Sequence, residues 1–414
     1  MLLITSEAVR EALRARREIA LIDVREEDSF AQAHPLFAAQ LSMSRLEPDA
    51  PWRLPRRDVP IAVCDDGEGD APAAVQRLAA LGYSQVGLLD GGLQGWRRSG
   101  GELFRDVNVP SKAFGELVEH ERGTPSLSAE EVKALLDARA DVVVLDARRF
   151  DEYRTMNIPG SVSVPGAELV LRVRALAPDP ATRVIVNCAG RTRSIIGTQS
   201  LVNAGIPNPV SALRNGTIGW TLAGLPLEHG QARRFGPVDE AARAEARSAA
   251  QALAARAGAQ RLTAVAGDAI DPPGRTVYRY DVRSPEEYAA GHLPGFGSAP
   301  GGQLVQETDV FAPVRGARIV LVDDDGVRAP MTAHWLAQMG WDVAWLADVT
   351  PSRFTETVPW LPAESPRSGP PARRYRRPYE GTDNPRAAMQ AYLDWEFGLV
   401  DQLARDGTHG FKVL

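Results

Sequence analysis

Only two cysteines, Cys64 and Cys188, occur among the 414 residues, and they lie far apart in the chain. That scarcity excludes a disulfide framework and a cysteine-built metal site. Neither sign of charge is in large excess. The formal net charge is -6, which removes the electrostatic reason to expect nucleic acid as a partner. No apolar run approaches the length of a membrane span, so no membrane association is expected. Met1–Glu7 lacks the basic start and apolar core of a signal peptide, so the expected location is the cytoplasm, where a thiol stays reduced. Apolar residues make up 44% and charged residues 24% of the chain, the proportions of an ordinary folded protein. The length suits about two to four domains.

What the chain does have is repetition. Asp23-Val24-Arg25, Asp146-Ala147-Arg148 and Asp281-Val282-Arg283 each follow an apolar, strand-like run. An aromatic residue follows at a fixed distance (Phe30, Tyr153, Tyr288), then His34, Asn157 and His292. Pro159-Gly160 and Pro294-Gly295 come next in the second and third copies. Counting on from the aspartates, a loop position falls on Cys64, Cys188 and Asp323, at offsets of 41, 42 and 42 residues. Each copy then carries a helix-like segment ending near Gly82, Gly205 or Gly340, and the first two close on Gly95-Trp96 and Gly219-Trp220. The spacing predicts three homologous α/β units, at residues 1–105, 125–230 and 260–350. Short β-branched strands alternating with helical stretches predict a parallel sheet covered on both faces in each unit.

Cys188 sits in a cationic loop. Val184-Ile185-Val186-Asn187 reads as a buried strand, and Ser194 to Ala204 reads as a helix closed by Gly205. A cysteine between them meets loop N–H groups and the positive end of the helix dipole. Arg191 and Arg193 add charge, so the thiolate should be stabilised and Cys188 nucleophilic at neutral pH. Four carboxylates follow Cys64 (Asp65, Asp66, Glu68, Asp70), which should raise its pKa and repel anions.

Beyond the units, Pro237 to Gly258 is alanine-rich and reads as a surface helix joining units two and three. Residues 351–382 form a Pro/Arg-rich strap, with Arg373-Arg374-Tyr375-Arg376-Arg377 read as solvated linker. Residues 383–414 read as a C-terminal docking helix that starts at Asp383-Asn384-Pro385. Its apolar stripe of Met389, Tyr392, Leu393, Phe397, Val400 and Leu403 should dock on a unit or on a second copy of the chain, as a homodimer.

The repeated unit resembles the rhodanese family of sulfurtransferases. The resemblance rests on Asp-x-Arg with its following aromatic, the Ile158-Pro159-Gly160-Ser161 turn, the Cys188–Ser194 loop, and the segment from Asn215-Gly216 to Gly219-Trp220. It covers nearly all of residues 1–350 and leaves the strap and C-terminal helix outside. Unit three lacks the glycine–tryptophan ending, and Asn157 stands where histidine is common. The implied fold is α/β: three tandem rhodanese-like domains, each a parallel sheet flanked by helices, plus a C-terminal helical extension.

The resemblance further implies that the loop cysteine accepts a sulfane sulfur, becomes a persulfide, and passes the sulfur to a nucleophile. That role falls on Cys188. The backbone amides of Ala189, Gly190, Arg191, Thr192, Arg193 and Ser194 would cradle the persulfide. Arg193 would hold an anionic donor such as thiosulfate, Arg191 would serve the rim, and Asp146 and Arg148 would brace the loop. No metal or cofactor is implied. Phosphatases with a cysteine loop place their arginine six positions after the nucleophile, whereas Arg193 is five after Cys188, a loop that suits sulfur better than phosphate. The loops of units one and three read as degenerate, with Cys64 in acidic surroundings and Asp323 (matched by Arg328 to Arg193) unable to form a persulfide. The expected function is sulfur transfer between a small-molecule donor and acceptor. The alternative is a persulfide carrier or scaffold that delivers sulfur to a partner protein.

Overall fold

The computed structural model describes residues 1–263, 267, 269–357, 373–377, 380 and 382–414. Much of the expected strap, residues 358–372, lies outside the described residues. Unit one contributes β1 (Leu2–Ile4), β2 (Ile19–Asp23), β3 (Ala38–Gln40), β4 (Ile61–Cys64) and β5 (Val86–Leu89). Unit two contributes β6 (Ser126–Leu127), β7 (Val142–Asp146), β8 (Val162–Ser163), β9 (Arg183–Asn187) and β10 (Val210–Leu213). Unit three contributes β11 (Gln260–Leu262), β12 (Val277–Asp281), β13 (Gly297–Ser298), β14 (Val314–Arg315), β15 (Arg318–Val322) and β16 (Asp342–Leu346). Three sheets result. Their orders are β1-β5-β4-β2-β14 with β3 also on β2, then β6-β10-β9-β7-β8, then β11-β16-β15-β12-β13. All pairings within a unit are parallel, and helices cover both faces. That arrangement is why the central strands (Val-Val-Val-Leu-Asp, Arg-Val-Ile-Val-Asn, Arg-Ile-Val-Leu-Val) read as continuous apolar runs rather than alternating ones.

The register corrects one expectation. Asp23 pairs with Cys64, whereas Asp146 pairs with Asn187 and Asp281 with Val322. Cys64 is therefore the last residue of a central strand, equivalent to Asn187 and Val322. The residue equivalent to Cys188 and Asp323 in unit one is Asp65, at the same offset of 42 from its aspartate. A one-residue slip puts a side chain on the other face of a strand. Cys64 is a buried sheet residue, and it does not occupy the loop position.

The units are joined by more than tethers. β14 of unit three leaves its own sheet and pairs antiparallel with β2, extending the first sheet. The segment expected as a surface helix forms Glu240–Arg256, started by the Asp239 side chain on the Ala242 N–H. Its small residues Ala246, Ala250 and Ala254 are buried with Leu253, so it packs closely between the helices Leu169–Leu176 and Arg328–Gln338 rather than lying in solvent. The linker helix Val109–Arg122 runs against the helix Thr192–Asn203. Gly115 makes that approach possible, since a Cβ there would sit 2.9 Å from Thr192 Cγ2.

The single C-terminal helix expected is two, Pro385–Phe397 and Leu399–Asp406, broken at Gly398. Both dock on this chain against the linker helix, and the first also against the helix Gly216–Leu222 of unit two. Leu393, Glu396, Leu399 and Leu403 are buried in that docking, whereas Phe397, expected in the stripe, is 52% exposed.

Candidate active site at the Cys188 loop

Cys188 leaves the end of β9 at the carboxyl edge of the second sheet, where loops of a parallel sheet gather their functional groups. The chain turns from Ala189 to Arg191 and enters the helix Thr192–Asn203. Its other wall is the first turn of the helix Gly216–Leu222: the Thr217 and Ile218 N–H groups donate to the Cys188 and Ala189 carbonyls. Gly216 has φ of +54°, and a Cβ there would lie 2.4 Å from the Cys188 carbonyl oxygen. Only glycine fits.

Beneath the loop, Arg148 grips Asp146 through two side-chain bonds of 2.9 and 2.7 Å and donates to the Met156 carbonyl. Asn187 donates to the same aspartate at 2.9 Å, tying the strand end to this pair. Asp146 and Arg148 are both buried. Arg25–Asp23 and Arg283–Asp281 repeat the motif in the other units.

The three loop positions show what the turn is built to hold. Asp65 accepts from the Gly67, Gly69 and Ala71 N–H groups at 3.0, 3.0 and 2.9 Å. Asp323 accepts from Gly326, Val327 and Ala329 at 3.1, 3.0 and 2.8 Å. The equivalent turn in unit two runs from Gly190 to Ser194, and there the residue at its base is a thiol, on which the Ser194 N–H bears. The Cys188 thiol donates to Ser194 Oγ at 3.4 Å, and Ser194 donates in turn to the Arg191 carbonyl.

Both loop arginines are engaged by carboxylates that the sequence reading missed. Arg193 makes a bidentate pair with Glu152 at 2.7 and 3.0 Å. Burial pushes Glu152 up, but Arg193, Arg148 and Arg149 outweigh it and hold the carboxyl well below its ordinary range. Arg191 is buried and turned to the linker helix, where it binds Glu116 (2.7 Å at two atoms) and Glu119, with Asn215 as a further acceptor. Its guanidinium stacks 4.1 Å over Phe397 of the first C-terminal helix. A signal for Glu152 was present: Glu287 grips Arg328 in unit three across the same separation of 41 residues. No local signal pointed to Glu116 or Glu119.

Burial works against the thiolate expected from two adjacent arginines. Cys188 is 2% exposed, and burial pushes its pKa above the ordinary value while Arg193 and Ser194 pull it down and Glu396 raises it further. The physical reason is that one arginine is spent on Glu116 and Glu119, the other is shared with Glu152, and water is excluded. Cys64 is pushed up further, by burial first and then by Asp23, with Asp65 and Asp66 adding to it. Among the described residues, no group of three or more His, Cys, Asp and Glu side chains could hold a metal ion. Among the same residues, no helix is long and apolar enough to cross a membrane.

Comparison with known proteins bears on the three loops together. The family model described as "Rhodanese-like domain" matches residues 5–99, 128–223 and 274–348. A crystal structure of a thiosulfate sulfurtransferase from Pseudomonas aeruginosa superposes with a TM-score of 0.95 at 56% identity, covering 100% of both chains. A helix-turn-helix-type transcriptional regulator of Mycobacterium tuberculosis is 30% identical over 90 residues, 22% of this chain and 39% of that protein. The same organism's "Putative thiosulfate sulfurtransferase SseB" is 30% identical over 130 residues, 28% of this chain and 43% of that protein. The chain thus spans about two fifths of the length of these curated relatives.

Proposed function

This chain belongs to the family built from the rhodanese-like domain, and from that premise we propose a sulfurtransferase with one competent site, working through a persulfide on Cys188. One observation carries the reading. Of three homologous anion-holding loops, two are filled by a built-in aspartate side chain and one presents a sulfur atom. A thiol in that position can leave and return to the anionic state as sulfur is loaded and removed, which an aspartate cannot do.

In the forward half-reaction, the Cys188 thiol gives up its proton to solvent, and the thiolate so formed attacks the outer sulfur of a thiosulfate-type donor. A Cys188 S–S bond forms, the donor's S–S bond breaks, and sulfite departs with the electron pair. The negative charge of the resulting persulfide rests against the loop amides from Gly190 to Ser194, with Arg193 alongside. In the second half-reaction an acceptor nucleophile takes the outer sulfur and Cys188 leaves as thiolate. Arg193 serves both halves as a fixed positive charge, held in place by Glu152. A carrier that served only a partner protein would need its sulfur within reach of another protein's nucleophile. Cys188 lies beneath the C-terminal helix, which supports small donors and acceptors instead. A reducing cytoplasm is the compartment in which such a thiol persists.

The test is Cys188→Ser, a near-isosteric change that removes the thiol at the loop position. Thiosulfate:cyanide activity should be abolished, and intact mass spectrometry should no longer show the mass of one added sulfur atom after thiosulfate exposure. Retention of more than a trace of activity would sink the assignment.

A further inference from the structure

The first C-terminal helix, Pro385–Phe397, lies outside the family match but over the Cys188 loop. It presents Glu396 there. A methyl group built on Gly190 would come 3.4 Å from Glu396 Oε2 and 3.5 Å from Tyr392 Cε1, so the carboxyl faces the loop backbone across the width of one side chain. Glu396 is 1% exposed. Its Oε1 accepts a 3.0 Å bond from the Tyr392 hydroxyl, and its Oε2 has no hydrogen-bond partner among the described residues. A buried carboxyl oxygen left unmet is unfavourable, and the loop it faces is where an anionic ligand would supply a partner.

Among the described residues, the two cations that face it are engaged elsewhere. Lys112, on the linker helix, is committed to Asp106 at 2.6 Å and lies over the rings of Tyr392 and Trp395. Arg191, in the loop, is committed to Glu116 and Glu119. The groups facing Glu396 are thus Lys112 and Glu116 from the linker helix, Arg191 and Cys188 from the loop, and Tyr392 from its own helix. Burial first, and then Glu116, push its carboxyl up to about 8 against the opposing pull of Lys112, Tyr392 and Arg191. At neutral pH it is a carboxylic acid, with Tyr392 on its carbonyl oxygen and its own O–H unspent.

We propose that Glu396 is a substrate-binding residue of the sulfur-transfer site, donating a hydrogen bond from Oε2 to the anionic sulfur species held at the Cys188 loop. The species are the donor's sulfonate end before transfer and the persulfide's outer sulfur after it. This rests on the sulfurtransferase reading above. Glu396 keeps its proton throughout; all bond making and breaking stays on sulfur. A neutral acid can sit beside an anion in a water-excluded site, and an ionised one repels it. The C-terminal helix therefore does more than shield the loop: it completes the binding site with a donor that no rhodanese-like unit of this chain contains.

The experiment measures the rate at which thiosulfate loads Cys188 in the full chain, read by intact mass, from one pH unit below to one above the Glu396 value of about 8. Glu396→Gln keeps the shape, the acceptor for Tyr392 and an N–H donor, but cannot ionise. Glu396→Met keeps bulk and loses the donor. An ionised Glu396 also raises the Cys188 pKa, so Cys188 is titrated by alkylation in each protein and the loading rates are compared per thiolate in the ratio of Glu396→Gln to wild type. That ratio should be near one at neutral pH and rise to about tenfold one unit above the Glu396 value. Glu396→Met should load about tenfold or more slowly at neutral pH, the loss of one bond to a charged group. A pH-independent ratio overturns the proposal. So does a Glu396→Gln protein as slow as Glu396→Met, or a Glu396→Met protein as fast as wild type. Failure of Cys188 to load in all three proteins would instead refute the sulfurtransferase reading, and this inference with it.

Discussion

At the scale of single residues, the two aspartates at loop positions matter as much as the cysteine. Asp65 and Asp323 each gather three backbone N–H groups, so the nest that awaits a sulfur anion in unit two is kept permanently filled in the others. Cys64, displaced to the strand end, has no such nest. Cys64→Ala should leave the rate of sulfur transfer unchanged. In the wild-type chain, Cys64 should react with a thiol alkylating agent more slowly than Cys188 and reach half-maximal rate at a higher pH, as followed by peptide mass spectrometry. The charges around them set that order: Asp23, Asp65 and Asp66 raise Cys64, while Arg193 and Ser194 lower Cys188. Cys64 reacting at the lower pH would restore a two-cysteine relay as the better hypothesis. The repeat spacing made the Cys188 loop and the Asp146–Arg148 brace legible from residues alone. It misled at Cys64 because a cysteine is a conspicuous residue type, whereas backbone register counts positions. Buried partners such as Glu116 were illegible, because their meeting with Arg191 depends on how the linker helix packs against a helix distant in sequence.

At the scale of elements, the loop's environment is set by helices that belong to no sheet. The C-terminal pair was readable as helix from its Asn384-Pro385 start and its apolar spacing, since caps and periodicity are local signals. Its break at Gly398, its docking site and the burial of Glu396 were not, because an amphipathic stripe says that a face will be covered and not by what. Leu399 opens the second helix and is fully buried against the core that includes Phe114 and Trp335. Leu399→Ala should cost about 2–5 kcal/mol at that contact and loosen the helix over the loop. Alkylation of Cys188 should then accelerate while that of Cys64 does not, measured on the same digests. An equal acceleration at both cysteines would mean global loosening rather than undocking.

At the scale of the whole molecule, unit three works as a brace. Arg328, which corresponds to Arg193, binds Glu287, Asp324 and Asp325 of its own unit and reaches Glu168 of unit two at 2.8 Å. Burial pushes Glu287 up, but Arg328 and the Ser284 cap outweigh it and hold its carboxyl at about 2. A carboxyl depressed on folding contributes stability above its unfolded value, roughly 4.3, and loses it as pH falls toward the folded one. Glu287→Gln should therefore lower the apparent Tm at neutral pH, and the gap to wild type should close as the pH drops from about 4.3 toward 2, in scanning calorimetry. A gap independent of pH would mean that the ion pair is not its source. The pairing of β14 with β2 has a consequence for how the protein is made. A ribosome delivers the first unit long before residues 314–315, so the nascent chain carries an unsealed strand at Ile19–Ala20 while the second unit and much of the third are translated. Arg53 waits with it, because two of its carbonyl acceptors, on Asp309 and Val310, arrive as late. Exposed strand edges are where growing chains stick to one another, so the first unit to be synthesised is among the last to be finished, and its safe passage through translation depends on the third.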